Sequence, residues 1–290
     1  MAGCLNSHCL RVNMPLDQMS DEKEMSFLDH LEELRWHIIR SLIAISVFAI
    51  AAFIAKDFVI GQVLLGPSRT DFWTYQKLCQ LADLIGTPAL CIDKLPFELV
   101  SRKLSSQFMT HVSISFFAGL VVGFPYLFWE IWRFIRPGLR PQERKASRGA
   151  TFSVSILFML GVLFGYFLIA PISVRFFSSY QADPSLQNLF DLSSYISTVT
   201  LIVFGCGLLF QLPVVVYFLT KAGIVSSSLM KTYRKHAIIV ILILGAVVTP
   251  PDPFSQILIA LPLMMLYQMS ILIAKRIERR EARESKEQLS

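Results

Sequence analysis

WHIIRSLIAISVFAIAAFIA, residues 36–55, is 20 residues long and carries one formal charge, on Arg40. At 1.5 Å of rise per residue, a helix of that length covers about 30 Å, the thickness of a bilayer's hydrocarbon core. Five further apolar runs meet or approach it, at about 108–133, 150–173, 194–220, 236–248 and 255–274. None alternates apolar with polar residues as a barrel strand does, and lipid offers a backbone amide or carbonyl no partner outside its own segment. The sequence therefore predicts an all-α integral membrane protein of six transmembrane helices. Composition agrees: 54% of the 290 residues are hydrophobic, 17% are charged and mean hydropathy is +0.55, which excludes an ordinary soluble domain.

An even number of spans puts both termini on one side of the membrane. Placing them inside assigns 20 of the 27 Lys and Arg residues to inner segments, and the positive-inside rule then predicts both termini in the cytoplasm. The chain divides into a cytoplasmic N-terminal segment (1–35), a membrane domain (36–274) with an outer loop at about 56–107, and a basic cytoplasmic tail (275–290). The net charge of +6 follows from this orientation, through contact with the anionic headgroups of the lipid bilayer. It gives no ground for a nucleic-acid partner. Residues 1–35 are polar and the first apolar run is too long for a signal-peptide core, so an uncleaved first span is expected.

Pro125, Pro171, Pro213 and Pro262 lie in or near spans, where each removes a backbone hydrogen bond and bends its helix. A kinked, concave bundle is expected. The fifth run has 12 apolar residues between His236 and Thr249, about 18 Å of helix, so either the bilayer thins there or the helix is buried among its neighbours. Polar groups within the spans are few: Gln211, Gln268, and His111 near the outer start of the second span. A polar side chain at depth is a candidate for function; for the glutamines the competing role is a helix-to-helix hydrogen bond worth about 1 kcal/mol. Cys79 and Cys91 share the outer loop, where a disulfide is chemically permitted although spacing does not establish its geometry. No Cys and His spacing resembles a metal site, and neither a metal nor a cofactor is expected.

Upstream of the first span, MSFLDHLEELRWHII (25–39) places Asp29, Glu32 and Glu33 at the threshold of the membrane, on a face that is otherwise basic. On a helix Asp29 and Glu33 are four apart and share a face, while Glu32 and Arg35 are three apart and can pair. Glu32 is thereby assigned to a local ion pair, and Asp29 to the helix start, where the macrodipole favours an acid. Glu33 is left free for a cation brought from elsewhere.

Four blocks together resemble the TatC family, the receptor subunit of the twin-arginine protein translocase. They are FLDHLEELRWHII (27–39), FPYLFWEIWRFIRPGLRPQERK (124–145), FGCGLLFQLPVVV (204–216) and GAVVTPPDPFSQILIALP (245–262). The resemblance covers most of residues 25–275 and implies the same six-span layout, in the bacterial cytoplasmic (inner) membrane. It implies a protein that is not an enzyme and that binds the paired-arginine signal peptides of folded precursor proteins. It also implies recruitment of small single-span TatA- and TatB-type subunits, with further copies of the chain itself, for export driven by the proton motive force. The absence of a P-loop or a Ser-His-Asp arrangement agrees with that role.

Matched residue by residue, Glu33 and Glu143 stand where the family carries its signal-recognition glutamates, with Arg35, Phe134, Pro137, Pro141 and Arg144 flanking or supporting them. A carboxylate suits the task because it meets a guanidinium through paired, charge-assisted hydrogen bonds. The turn containing Pro250 and Asp252 resembles a family region implicated in contact with the single-span partners; Asp252 can equally cap the last helix. Gln211 and Gln268 stand where the family often has glutamates. Glutamine keeps a polar contact to a partner helix but removes any protonation switch. Asp191 matches an outer-loop acid of the family.

Two other function classes compete. A secondary transporter for a small solute is the alternative, but such folds carry inverted repeats around a midplane site, and residues 30–150 show no convincing self-similarity with 150–275. An intramembrane enzyme needs a nucleophile and a base facing each other at depth, and His111 with Ser113 or Ser115 is the pairing available.

Overall fold

The computed structural model of the chain describes residues 27–86, 91, 97–135, 147–181, 183, 189–248 and 253–287. Helix α1 (Phe27–Ile54) takes in both the threshold carboxylates and the first apolar run, so the acids ride on the same rod as the span. A π-helical segment (Asp57–Leu64) and a 3-10 turn (Gly66–Ser68) lead to α2 (Trp73–Ile85) and a short strand, β1 (Glu98–Val100). Then come α3 (Ser106–Ile135) and a third rod made of α4 (Ser147–Phe164), a π segment (Gly165–Ile169) and α5 (Ala170–Ser179). Strand β2 (Leu189–Asp191) precedes a fourth rod, α6 (Leu192–Leu209) and α7 (Leu212–Lys221). The chain continues through α8 (Ser227–Thr232), α9 (Arg234–Val248) and α10 (Pro253–Glu287).

Among the described residues, five stretches are long and apolar enough to cross a bilayer: Glu32–Ile54, Ser106–Phe134, Thr151–Ser179, Leu192–Lys221 and Ser255–Arg280. The protein is therefore a multi-pass, mostly helical membrane protein. Helix α9 occupies the place of the fifth predicted run, and its 15 residues reach about 22 Å. By length and composition the structure supports five spans where the sequence suggests six. Helix α10 carries the last span on as one helix to Glu287.

The prolines act unequally. Pro171 has no N–H to pair with the carbonyl four residues back, that of Phe167. The chain widens into the π segment just before Pro171, and the orphaned Phe167 carbonyl accepts from the hydroxyl of Thr74 on α2. The fourth rod breaks at Phe210 and Gln211, ahead of Pro213. Pro125 and Pro262 lie inside continuous helices.

The loop after α1 is tied down by the same logic. Its non-α turns leave carbonyls without intrahelical partners, and hydroxyls from other elements supply the donors. Tyr166 donates to the Val63 carbonyl (2.6 Å), Tyr195 to that of Leu64 (3.0 Å) and Ser68 to that of Leu65 (2.8 Å). The fully buried Tyr75 hydroxyl lies 2.8 Å from the Pro67 carbonyl and 3.0 Å from that of Pro171. A disulfide joins Cys79 of α2 to Cys91. Strands β1 and β2 pair in parallel, Leu99 opposite Phe190, which sets the starts of α3 and α6 side by side.

The fourth rod is the hub. Val199 and Ile202 are fully buried there against Ile169, Ile259 and Leu263, within one continuous cluster. Helix α1 lies at the edge: its span is 17% buried, against 39% for the fourth, and Leu42, Ile43, Val47, Ile50 and Ile54 form an exposed apolar face suited to lipid.

Candidate functional site

Helices α1 and α3 run antiparallel in close register. Phe53 stacks on His111, Ala49 lies against Gly119, Ile45 against Gly123 and His37 against Glu130. Glycine permits this approach: a Cβ at position 119 would come within 2.6 Å of the Ala49 backbone nitrogen. The register brings side chains from two helices to one buried point, at the end of the bundle where α1 begins.

Glu130 is 1% exposed; its Oε2 meets His37 Nδ1, and the Tyr126 hydroxyl donates to its Oε1 at 2.9 Å. A carboxylate inside an apolar wall has no water to carry its charge, and the cost is offset only when a cation and hydrogen-bond donors meet it. His37 and Tyr126 face its two oxygens. The imidazole of His37, itself buried, turns Nε2 toward Glu33 Oε1, 3.9 Å away and one helical turn back. Phe134 closes the side of this group, its ring edge-on to the imidazole with centroids 6.1 Å apart. Glu33 differs from Glu130 in that 38% of its side chain is exposed, which leaves an acceptor open to solvent.

The structure therefore joins Glu33 and Phe134 through a residue not singled out in the sequence, His37, and adds Glu130 and Tyr126. The signal for Glu130 was present: it is an acid inside the apolar stretch LFWEIWRFI (127–135), and an ionisable group there is a functional candidate by default. Arg35 is exposed. The Glu32 to Arg35 pair is a correction: both side chains are exposed and, among the described residues, no ion pair joins them. Water screens such a pair enough to leave little to gain. Glu143, Arg144, Pro137, Pro141, Pro250 and Asp252 lie outside the described residues, as does the side chain of Asp29.

The two glutamines occupy different settings. Gln211, in the turn between α6 and α7, donates through Nε2 to the Val154 carbonyl of α4 (3.3 Å), while its buried Oε1 has no hydrogen-bond partner among the described residues. Gln268 on α10 accepts two hydrogen bonds from the Arg234 guanidinium, at 2.6 and 3.0 Å, in the amide orientation that satisfies both partners. At the far end of α3, His111 Nε2 lies 3.1 Å from the Phe53 carbonyl, and Ser115 donates to the His111 carbonyl rather than to its ring. Among the described residues, no group of three or more His, Cys, Asp or Glu is arranged to hold a metal ion.

Comparison with known proteins bears on the whole of this bundle. The family described as Sec-independent protein translocase protein (TatC) matches residues 29–262. A Sec-independent protein translocase protein TatC from Blattabacterium sp. subsp. Periplaneta americana is 40% identical over 259 residues, covering 88% of this chain and 97% of its own. One from Carboxydothermus hydrogenoformans is 35% identical over 262 residues, covering 90% of this chain and 97% of its own. The crystal structure of the twin-arginine translocase receptor TatC in DDM superposes with a TM-score of 0.67 at 28% identity, covering 84% of this chain and 99% of that one. The chain belongs to the TatC family of Sec-independent protein translocase proteins.

Proposed function

We propose that this chain is the receptor and core subunit of a twin-arginine translocation system. It binds the paired-arginine signal peptides of folded precursors and gathers single-span TatA- and TatB-type subunits, with further copies of itself, for export driven by the proton motive force. In this reading α9 is a sixth, short span, and both termini face the cytoplasm across the bacterial inner membrane. A similar chain of known structure is titled a twin-arginine translocase receptor, which supports the assignment.

The observation that carries the reading is Glu33: a half-exposed acid at the start of α1, one turn from the His37 ring that Phe134 meets edge-on, on a face whose other charges are mostly basic. A guanidinium arriving there meets a carboxylate with free lone pairs. Glu143 is the second acid of this reading, and Arg35, Arg144 and Pro137 are its supporting residues. Gln211, Gln268, Pro250 and Asp252 form the partner-contact set of this reading, in which a polar group at depth is the candidate for a helix-to-helix contact.

Equilibrium binding of a labelled twin-arginine peptide to the purified protein tests this. Glu33→Ala and Glu143→Ala weaken binding more than Glu32→Ala or Asp29→Ala; equal losses at all four would replace the defined site with a diffuse acidic surface. Gln211→Leu weakens assembly with the single-span partners and spares peptide binding, and unaltered assembly would remove it from the partner-facing set.

A further inference from the structure

Glu130 and His37 form a buried pair that has no place in an ordinary apolar helix contact. Replacing both by apolar side chains of similar volume would cost the fold little, and it would remove two groups that are expensive to bury. The pair has a direction, however. Glu130 Oε2 holds Nδ1, Tyr126 holds the second carboxylate oxygen at 2.9 Å, and the ring is braced by the edge of Phe134. With Glu130 and Phe134 holding the imidazole, its remaining nitrogen faces along α1, toward Glu33 at 3.9 Å. That separation exceeds a hydrogen bond, so the imidazole lies beside the Glu33 carboxylate without occupying its lone pairs.

We propose that His37, anchored by Glu130, is a positioning residue for signal-peptide recognition: it holds the Glu33 carboxylate in the orientation that takes an arginine guanidinium side-on. This rests on the assignment of Glu33 to the peptide site. Glu130 has both oxygens met, by His37 and Tyr126, whereas Glu33 keeps an acceptor open to solvent. Other charged groups nearby are Arg40 on α1 and Arg133 on α3, both close to Tyr126. A fixed carboxylate rewards the planar, two-pronged guanidinium over the point charge of lysine, so the expected signature is selectivity.

The test uses the full-length protein and two labelled peptides, one with paired arginines and one with paired lysines. The variant His37→Gln with Glu130→Gln removes both ionisable groups together and leaves no buried carboxylate without its partner. It is expected to weaken the arginine peptide about fivefold and the lysine peptide little, so that their ratio of affinities shrinks. His37→Arg, which places N–H donors between the two acids, holds the ratio to within about twofold of the wild type. Adding Glu33→Ala to the double variant produces no loss beyond that of Glu33→Ala alone, because His37 acts through Glu33. If Glu33→Ala weakens binding but the two losses add in full, or the double variant binds the arginine peptide as well as or better than the wild type, His37 does not position Glu33. If Glu33→Ala has no effect on the arginine peptide, the assignment of Glu33 fails and the role of His37 falls with it.

Discussion

Replacing Gly119 with alanine tests whether α1 is held by one close backbone approach. The added Cβ would stand 2.6 Å from the Ala49 nitrogen and 2.8 Å from its Cα and Cβ, where ordinary contact begins at 3.4 Å. Two of the three obstructing atoms are backbone, so no change of rotamer relieves the clash. Helix α1 must retreat by roughly 0.8 Å at this point. Overpacking of this kind costs about 1–3 kcal/mol, set against about 1 kcal/mol gained because alanine prefers a helix to a greater degree than glycine does. The net expectation is a loss of about 1 kcal/mol, with an upper end near 2. Gly123→Ala is the internal control: the nearest atom to its new Cβ is Ile45 Cγ1 at 3.4 Å, so the propensity gain stands alone and stability holds or rises. Unfolding in mixed detergent micelles, followed by the fluorescence of Trp36, measures both, and the exposed position of that side chain near the start of α1 reports its detachment. If Gly119→Ala proves as stable as Gly123→Ala, the close approach does not hold α1.

Two further predictions concern the elements that shape the bundle. Thr74→Val keeps the side chain's shape and removes the donor to the Phe167 carbonyl that Pro171 leaves orphaned; a loss of about 1–2 kcal/mol in the same unfolding assay is expected, and no loss would mean that water replaces the hydroxyl. The Ser193 hydroxyl, joined by the Arg102 amide, donates to Asp191 and holds its carboxyl below the ordinary 3.8. Because the folded value is the lower one, the stabilisation is complete above pH of about 4 and is lost as pH falls through the folded value. The melting temperature of the wild type should therefore exceed that of Asp191→Asn by a constant margin from pH 7 to 5, and the margin should shrink below pH 4; a margin unchanged down to pH 3 would contradict it.

How much of this was legible in the sequence depends on distance along the chain. The helices were readable because the apolar runs are local and their lengths match a bilayer. The break at Gln211 and the π segment before Pro171 were foreshadowed by their prolines, although nothing in the sequence says that Pro125 and Pro262 would stay inside continuous helices while Pro213 follows a break. The contacts that define the site are another matter. His37 and Glu130 are 93 positions apart, and so are Thr74 and Phe167. Each pairing depends on the register of one helix against another, which is set by packing at Gly119 and Tyr75 rather than by any local pattern. The i, i+3 rule led to Glu32 and Arg35 because it counts neighbours on one helix; the interior partner of α1 was on α3. Glu33 and Phe134 came from resemblance, and the structure supplies the physical link between them.

The account's central claim is that Glu33 and Glu143 receive the paired arginines of a signal peptide. Photo-crosslinkers placed singly at positions 33 and 143, in membranes containing a folded twin-arginine precursor, test it most directly. The account predicts adducts from both positions to the arginine region of the signal peptide, competed away by excess unlabelled twin-arginine peptide and lost when both arginines become lysines. Adducts that persist with the lysine precursor, or none from either position while the precursor still binds, would contradict it.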